Sequence, residues 1–175
     1  YQLSNLRISH KVARSVPTIL RQQEWQGTVF VRSDEIIGLS PYQTQPLGLA
    51  VDLGTTKIAA YLVALESGKT LAAAGAPNPQ IGYGEDVISR LNYARRRPDG
   101  GQLLARNVRQ ALNQILYDLV AQANVSSQQV AEAVVVGNTA MIHLLLHLPV
   151  TQLLRAPYVA AVSDALDVRA ADIGL

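Results

Sequence analysis

The 175 residues are 49% apolar and 16% charged, with a formal charge of +2 at pH 7. That is enough apolar side chain for a core, and too weak a field, with too few aromatic residues, to expect a nucleic acid as partner. No cysteine is present, which excludes a disulfide framework and a cysteine-ligated metal, and no apolar run is long enough for a bilayer. No membrane partner is therefore expected, and the cytoplasm is the expected compartment. The chain starts at Tyr1 rather than Met and stops at Leu175 without a tail, as a piece of a longer protein would.

Residues 1–46 read as the end of a preceding small module. Arg7, Lys11, Arg14 and Arg21 are scattered among single apolar residues, which points to a solvated surface, and Pro17 is expected to interrupt any long helix. Residues 26–32 and 34–39 read as two short strands with Ser33-Asp34 at the turn, and Ser40 to Pro46 as a connector.

From Leu47 the pattern sharpens. Leu49 to Asp52 and Lys57 to Leu65 are the two strands of a buried hairpin, with Gly54-Thr55-Thr56 as its turn. Gly54 permits a positive φ or a close backbone approach, and Thr55 and Thr56 place hydroxyls and N–H groups at the tip. Asp52, ending an apolar strand, is costly to bury without a partner. A hydrated Mg²⁺ is one such partner, because hard cations take carboxylate oxygens and keep several waters. The alternative is a hairpin whose Asp and Thr side chains cap their own turn. A second turn at residues 66–69 leads into a third strand, residues 70–74, which completes an antiparallel meander. Residues 75–84 hold two prolines and three glycines and are expected to lack regular structure.

A helix is predicted over residues 85–97, with Glu85 and Asp86 in its first turn and Arg95, Arg96 and Arg97 in its last, each matched to the helix dipole. Pro98 and Gly100-Gly101 end it. A long helix follows over residues 102–123, whose apolar stripe from Leu104 to Val120 packs on a sheet. Ser126 and Gln129 have capping-box spacing. Glu132 to Val136 read as a strand buried on both faces, and Gly137-Asn138-Thr139 turns directly into an apolar helix over residues 140–148. Asn138 or Thr139 is its expected N-cap, and a helix start at the carboxyl end of a strand also suits an anion. His143 and His147 are four apart on that helix, but without a third ligand they read as packing or surface residues. The rest is a looser tail, in which Asp164, Asp167 and Asp172 read as solvated surface.

A meander, helices, a strand and a helix, in that order, make an α/β arrangement that resembles one lobe of the actin-like, ribonuclease H-like ATPase fold, preceded by part of a small α+β middle domain. Four words carry a closer resemblance: Gly-Leu-Ala-Val-Asp-Leu-Gly-Thr-Thr at 48–56, Asn-Pro-Gln at 78–80, Tyr-Gly-Glu-Asp-Val-Ile-Ser-Arg at 83–90, and Val-Gly-Asn-Thr-Ala-Met-Ile-His-Leu-Leu-Leu at 136–146. Together they look like the ATP-dependent reductive activators of corrinoid proteins, the RACo-type members of the sugar kinase, Hsp70 and actin superfamily. The resemblance implies a domain boundary near residue 47, with residues 47–175 as an incomplete first ATPase lobe. It implies a protein that spends Mg-ATP, releasing ADP, to return the cobalt of a corrinoid protein from Co(II) to Co(I). It further implies a low-potential electron donor, a [2Fe-2S] cluster in a separate N-terminal domain, and leaves room for a homodimer. By the same resemblance Asp52 holds Mg²⁺ through water, while Gly54, Thr55 and Thr56 cradle the phosphates, with Asn138 and Thr139 as further candidates; Lys57, outside the family pattern, reads either as a phosphate contact or as a surface lysine at the strand start. Asp86 and Arg90 fall in a family word of unassigned role and have the spacing of a helical ion pair. The chain departs from the pattern in lacking cysteine, in ending before a second lobe, and in carrying Lys57 where a small β-former is expected. A small-molecule kinase of the same superfamily and a non-catalytic interaction module are the rival readings.

Overall fold

The computed structural model describes residues 5–175. The first four residues of the expected 1–46 module, and the side chain of Lys11, lie outside the described residues. Among the described residues there are two sheets. The smaller contains β1 (Arg7–Ile8), β2 (Thr28–Arg32) and β3 (Glu35–Ser40), with β3 central, parallel to β1 and antiparallel to β2. The strand pair and its turn fall where the sequence pattern puts them.

Helix α1 (His10–Gln22) continues through Pro17, contrary to the expected interruption. Pro17 and the residue whose carbonyl it leaves unbonded, Ala13, are both exposed, so water can take over the missing bond. Ser9 caps the helix by accepting from the Val12 N–H, and Val12 is its buried residue.

The larger sheet has the order β6-β5-β4-β7. Strands β4 (Leu47–Leu53), β5 (Lys57–Ala64) and β6 (Thr70–Pro77) form the antiparallel meander, and β7 (Val130–Gly137) lies parallel to β4. Alternation sorts the side chains. Leu47, Leu49, Val51, Leu53, Ile58, Ala60, Leu62 and Ala72 turn to one face and are buried beneath the helices. The expectation that residues 75–84 are irregular is corrected. β6 continues to Pro77, which its edge position tolerates because no further strand needs the missing N–H, and Pro79–Tyr83 form a 3-10 helix.

Helices α2 (Val87–Arg96), α3 (Gly100–Ala123) and α4 (Thr139–Leu146) cover the apolar face, α3 lying across β5 and β6 and packing against both other helices. Leu104, Val108, Leu112 and Leu119, fully or almost fully buried, carry the predicted stripe. The helix begins at Gly100 rather than residue 102, so the glycine pair opens α3 instead of closing α2. The Ser126–Gln129 capping box is present. Asp86 is the N-cap of α2 rather than a first-turn residue, and Glu85 also precedes the helix. Asp86 Oδ1 accepts from the Ser89 N–H at 2.8 Å and Oδ2 from the Ser89 hydroxyl at 2.8 Å, and these bonds hold its carboxyl below the usual range.

A group depressed in the folded state adds stability above its unfolded pKa, about 3.9 for Asp, and loses it as pH falls through the folded value. The stability gap between the parent and Asp86→Asn, read by urea unfolding, is expected to be open at pH 7 and to close as the pH drops below about 4.

Strand β7 corrects a further expectation. It is a strand, but not a buried one. Val134 and Val136 are 57% and 58% exposed, because they lie in register with Ala50 and Asp52 on the face of the sheet that the helices leave open. The tail is also less free than its composition implied. Asp167 pairs with Arg32 and Arg169 with Glu35, so two exposed ion pairs tie it to the small sheet. Arg7 pairs likewise with Asp34. No described helix is long and apolar enough to cross a membrane.

Candidate functional site

Because β4 and β7 are parallel neighbours, the loops that follow them leave the sheet at the same edge. After β4 comes the turn Gly54-Thr55-Thr56, and after β7 comes Asn138, the N-cap of α4. Asn138 Oδ1 accepts from the Met141 N–H at 3.0 Å, the expected capping bond, while its Nδ2 donates to Thr55 Oγ1 at 3.2 Å. One side chain thus joins the two loops. Thr139 opens α4 and is exposed, as are Asn138, Thr56 and Lys57. The loops form one polar rim.

Asp52 stands next to that rim on the open face of the sheet, flanked in register by Ala59 on β5 and Val136 on β7. It is exposed and makes no ion pair among the described residues. The burial cost anticipated from the sequence therefore does not arise, and its carboxylate is free to take an external partner. Lys57 begins β5 and alternates onto the same open face.

The turn is braced from within by residues whose roles the sequence pattern leaves unassigned. Asn78, 1% exposed, donates through Nδ2 to the Gly54 carbonyl at 2.8 Å and through its backbone N–H to the Thr56 carbonyl at 2.8 Å. Its Oδ1 accepts from the Gln80 N–H, and Gln80 Nε2 donates to the Leu104 carbonyl, so the brace is anchored in α3. Gly54 has no positive φ; it is needed for close approach, since a Cβ there would lie 2.5 Å from the Lys57 carbonyl oxygen. Beside Asn78 lies Met141 of α4, whose sulfur is 3.7 Å from Asn78 Nδ2 and 3.7 Å from Arg90 Nη1.

Arg90 is wholly buried and does not pair with Asp86. Its Nε donates to the Gly84 carbonyl at 2.8 Å, its Nη2 has no partner among the described residues, and burial pushes its guanidinium below the ordinary arginine range. Asp86 spends its oxygens on Ser89, so the i,i+4 spacing does not become an ion pair.

The histidines stay structural. His143 Nε2 accepts from the Ala161 N–H at 3.1 Å, which leaves Nδ1 to carry the proton and donate to the Thr139 carbonyl at 2.7 Å. His147 is the left-handed C-cap of α4. Both border a cleft of about 410 Å³ with Arg95, Arg97 and Pro149, and no rim residue lines it. No group of three metal-ligating side chains occurs among the described residues.

A meander extended by a parallel strand, with helices on one face and two polar loops joined at one edge, defines an α/β unit whose rim presents hydroxyls, N–H groups and one free carboxylate. The chain belongs to the RACo middle region family, whose model matches residues 47–175. It is similar to the corrinoid activation enzyme RamQ of Eubacterium limosum, 31% identical over 150 residues that make up 84% of this chain and 25% of that protein. It is also similar to a solved structure, a reductive activator for corrinoid, iron-sulfur protein, with a TM-score of 0.84 and 31% identity over 99% of this chain and 29% of that one. The chain thus spans between a quarter and a third of the length of these relatives.

Proposed function

We propose that this chain forms the phosphate-holding side of a nucleotide site in an ATP-driven activator that returns a corrinoid protein's cobalt from Co(II) to Co(I). The observation that carries the reading is the Asn138–Thr55 bond, which gathers the hairpin turn and the start of α4 into one rim beside Asp52, unpaired among the described residues. The names of the two relatives support the corrinoid protein as target. On this reading residues 47–175 are the first lobe of an actin-like ATPase, residues 1–46 close a preceding domain, and a low-potential donor supplies the electron in the cytoplasm.

An exposed carboxylate at the rim fits a hydrated Mg²⁺, which supplies charge neutralisation of the phosphates when bound. Asp52 holds that ion through water. The backbone around Gly54, with Thr55 and Thr56, donates to phosphate oxygens, and Asn138 fixes the Thr55 hydroxyl for that purpose. Thr139 adds the open N–H end of α4, and Lys57 adds a positive charge beside the turn. Work of this kind is positioning and charge stabilisation, which asks for no nucleophile from the protein. An iron–sulfur cluster does not fit these residues, because the sequence has no cysteine to ligate it.

The test is calorimetric titration of Mg-ATP and Mg-ADP into the protein as encoded, followed by the cobalt spectrum of a corrinoid protein mixed with it and a reductant. Saturable nucleotide binding, and Co(I) that forms only when Mg-ATP is present, is the expected result. A folded protein that ignores nucleotide, or Co(I) formation indifferent to ATP, overturns the reading.

A further inference from the structure

Arg90 is an unusual residue to find fully enclosed. Arginine is rarely buried without a carboxylate, since taking a guanidinium out of water is expensive. Among the described residues its contacts are a backbone carbonyl and a thioether, and one terminal nitrogen has no partner. Asp86, which acts on it electrostatically, is exposed and committed to Ser89. With no exposed surface, Arg90 is also beyond reach of a carboxylate from another molecule. The charge has nevertheless been built in with care. Gly84, at φ 155, turns its carbonyl to Arg90 Nε from a backbone that only glycine adopts with ease, and a Cβ there would lie 2.7 Å from Ser89 Cβ.

What lies on the far side of Met141 explains the placement. From Arg90 Nη1 the contacts run through the Met141 sulfur to Asn78 Nδ2 and so to the Gly54 carbonyl, the base of the hairpin turn. The path crosses low-dielectric interior, where a charge is felt farther than in water. We propose that Arg90 is a buried counter-charge for the anion held at the rim, a positioning residue that acts through the field beneath the Gly54 turn without touching the ligand. The inference rests on the phosphate-site reading and deepens it. Buried charge that costs folding stability is returned as affinity for phosphate.

Arg90→Met tests this because it keeps the bulk and removes the charge. In the protein as encoded, Arg90→Met is expected to be no less stable to urea than the parent, since an uncompensated buried charge is gone. Mg-ADP is expected to bind it about tenfold more weakly, while adenosine, which carries no phosphate, binds as in the parent. Arg90→Lys, which restores the charge, is expected to recover most of the Mg-ADP affinity. A structural role gives a different pattern, with lost stability and adenosine and Mg-ADP weakened together, and that result overturns the proposal. Unchanged Mg-ADP affinity in a folded Arg90→Met also overturns it, leaving the phosphate site itself intact. A parent that binds no nucleotide brings down the phosphate reading and the inference with it.

Discussion

Asp52→Ala is expected to weaken Mg-ADP binding to the protein as encoded by about a hundredfold, roughly what the loss of two hydrogen bonds to a charged group removes. Its stability should stay within about 0.5 kcal/mol of the parent's, as for surface substitutions generally. The two halves of the prediction come from one fact. Asp52 is exposed on the open sheet face and has no ion-pair partner among the described residues, so folding does not depend on it. Calorimetry with and without Mg²⁺ measures the first half and urea unfolding the second. Equal affinity in parent and variant would remove Asp52 from the site. A large loss of stability would instead return it to the role of a turn cap.

Gly54→Val should act on fold and site together. The added Cβ, whose position the backbone fixes, meets the main-chain carbonyl oxygen of Lys57 at 2.5 Å, so neither yields by changing a rotamer. Nor is the turn free to slide away, because Asn78 holds the Gly54 and Thr56 carbonyls at 2.8 Å from beneath. A cost of about 2 to 3 kcal/mol in unfolding free energy is expected, typical of forced overpacking. Nucleotide affinity should fall in the same variant. If Gly54→Val unfolds with the parent's urea midpoint, the close approach is not a real constraint.

The parts of this molecule that were legible in its sequence are those set by local periodicity. The hairpin, the third strand, the stripe of α3 and the capping box at Ser126 repeat at intervals that a single chain segment reveals. Asn138 was legible as a cap because its partner, Met141, is three residues away. Burial of β7 was not. An unbroken apolar run is ambiguous between a strand covered on both faces and one awaiting cover, and Val134 and Val136 belong to the second kind among the described residues. Arg90 misled for a related reason. Its spacing from Asp86 suits an exposed ion pair, and only the packing of α2 against α4 shows that its side chain turns inward to Met141. The brace by Asn78 spans 24 residues to Gly54, a separation over which no local pattern carries information. Pro17 breaks a helix where the lost hydrogen bond cannot be replaced, and nothing in the local sequence shows that α1 leaves that turn to solvent.

The pairing of β7 with β4 also fixes the order in which the rim can be assembled. β4, β5 and β6 are consecutive and close through short turns, so the meander can form from local contacts alone. The rim cannot. Thr55 and Asn138 are 83 residues apart, and the entropy of closing that interval is offset only when α3 already lies on the sheet and shortens the path. During synthesis the meander therefore waits with one edge of β4 unpaired until Val130–Gly137 has emerged. A chain arrested before β7 carries the Gly-Thr-Thr turn braced from beneath by Asn78 but lacks Asn138, and so has one side of the rim without the other.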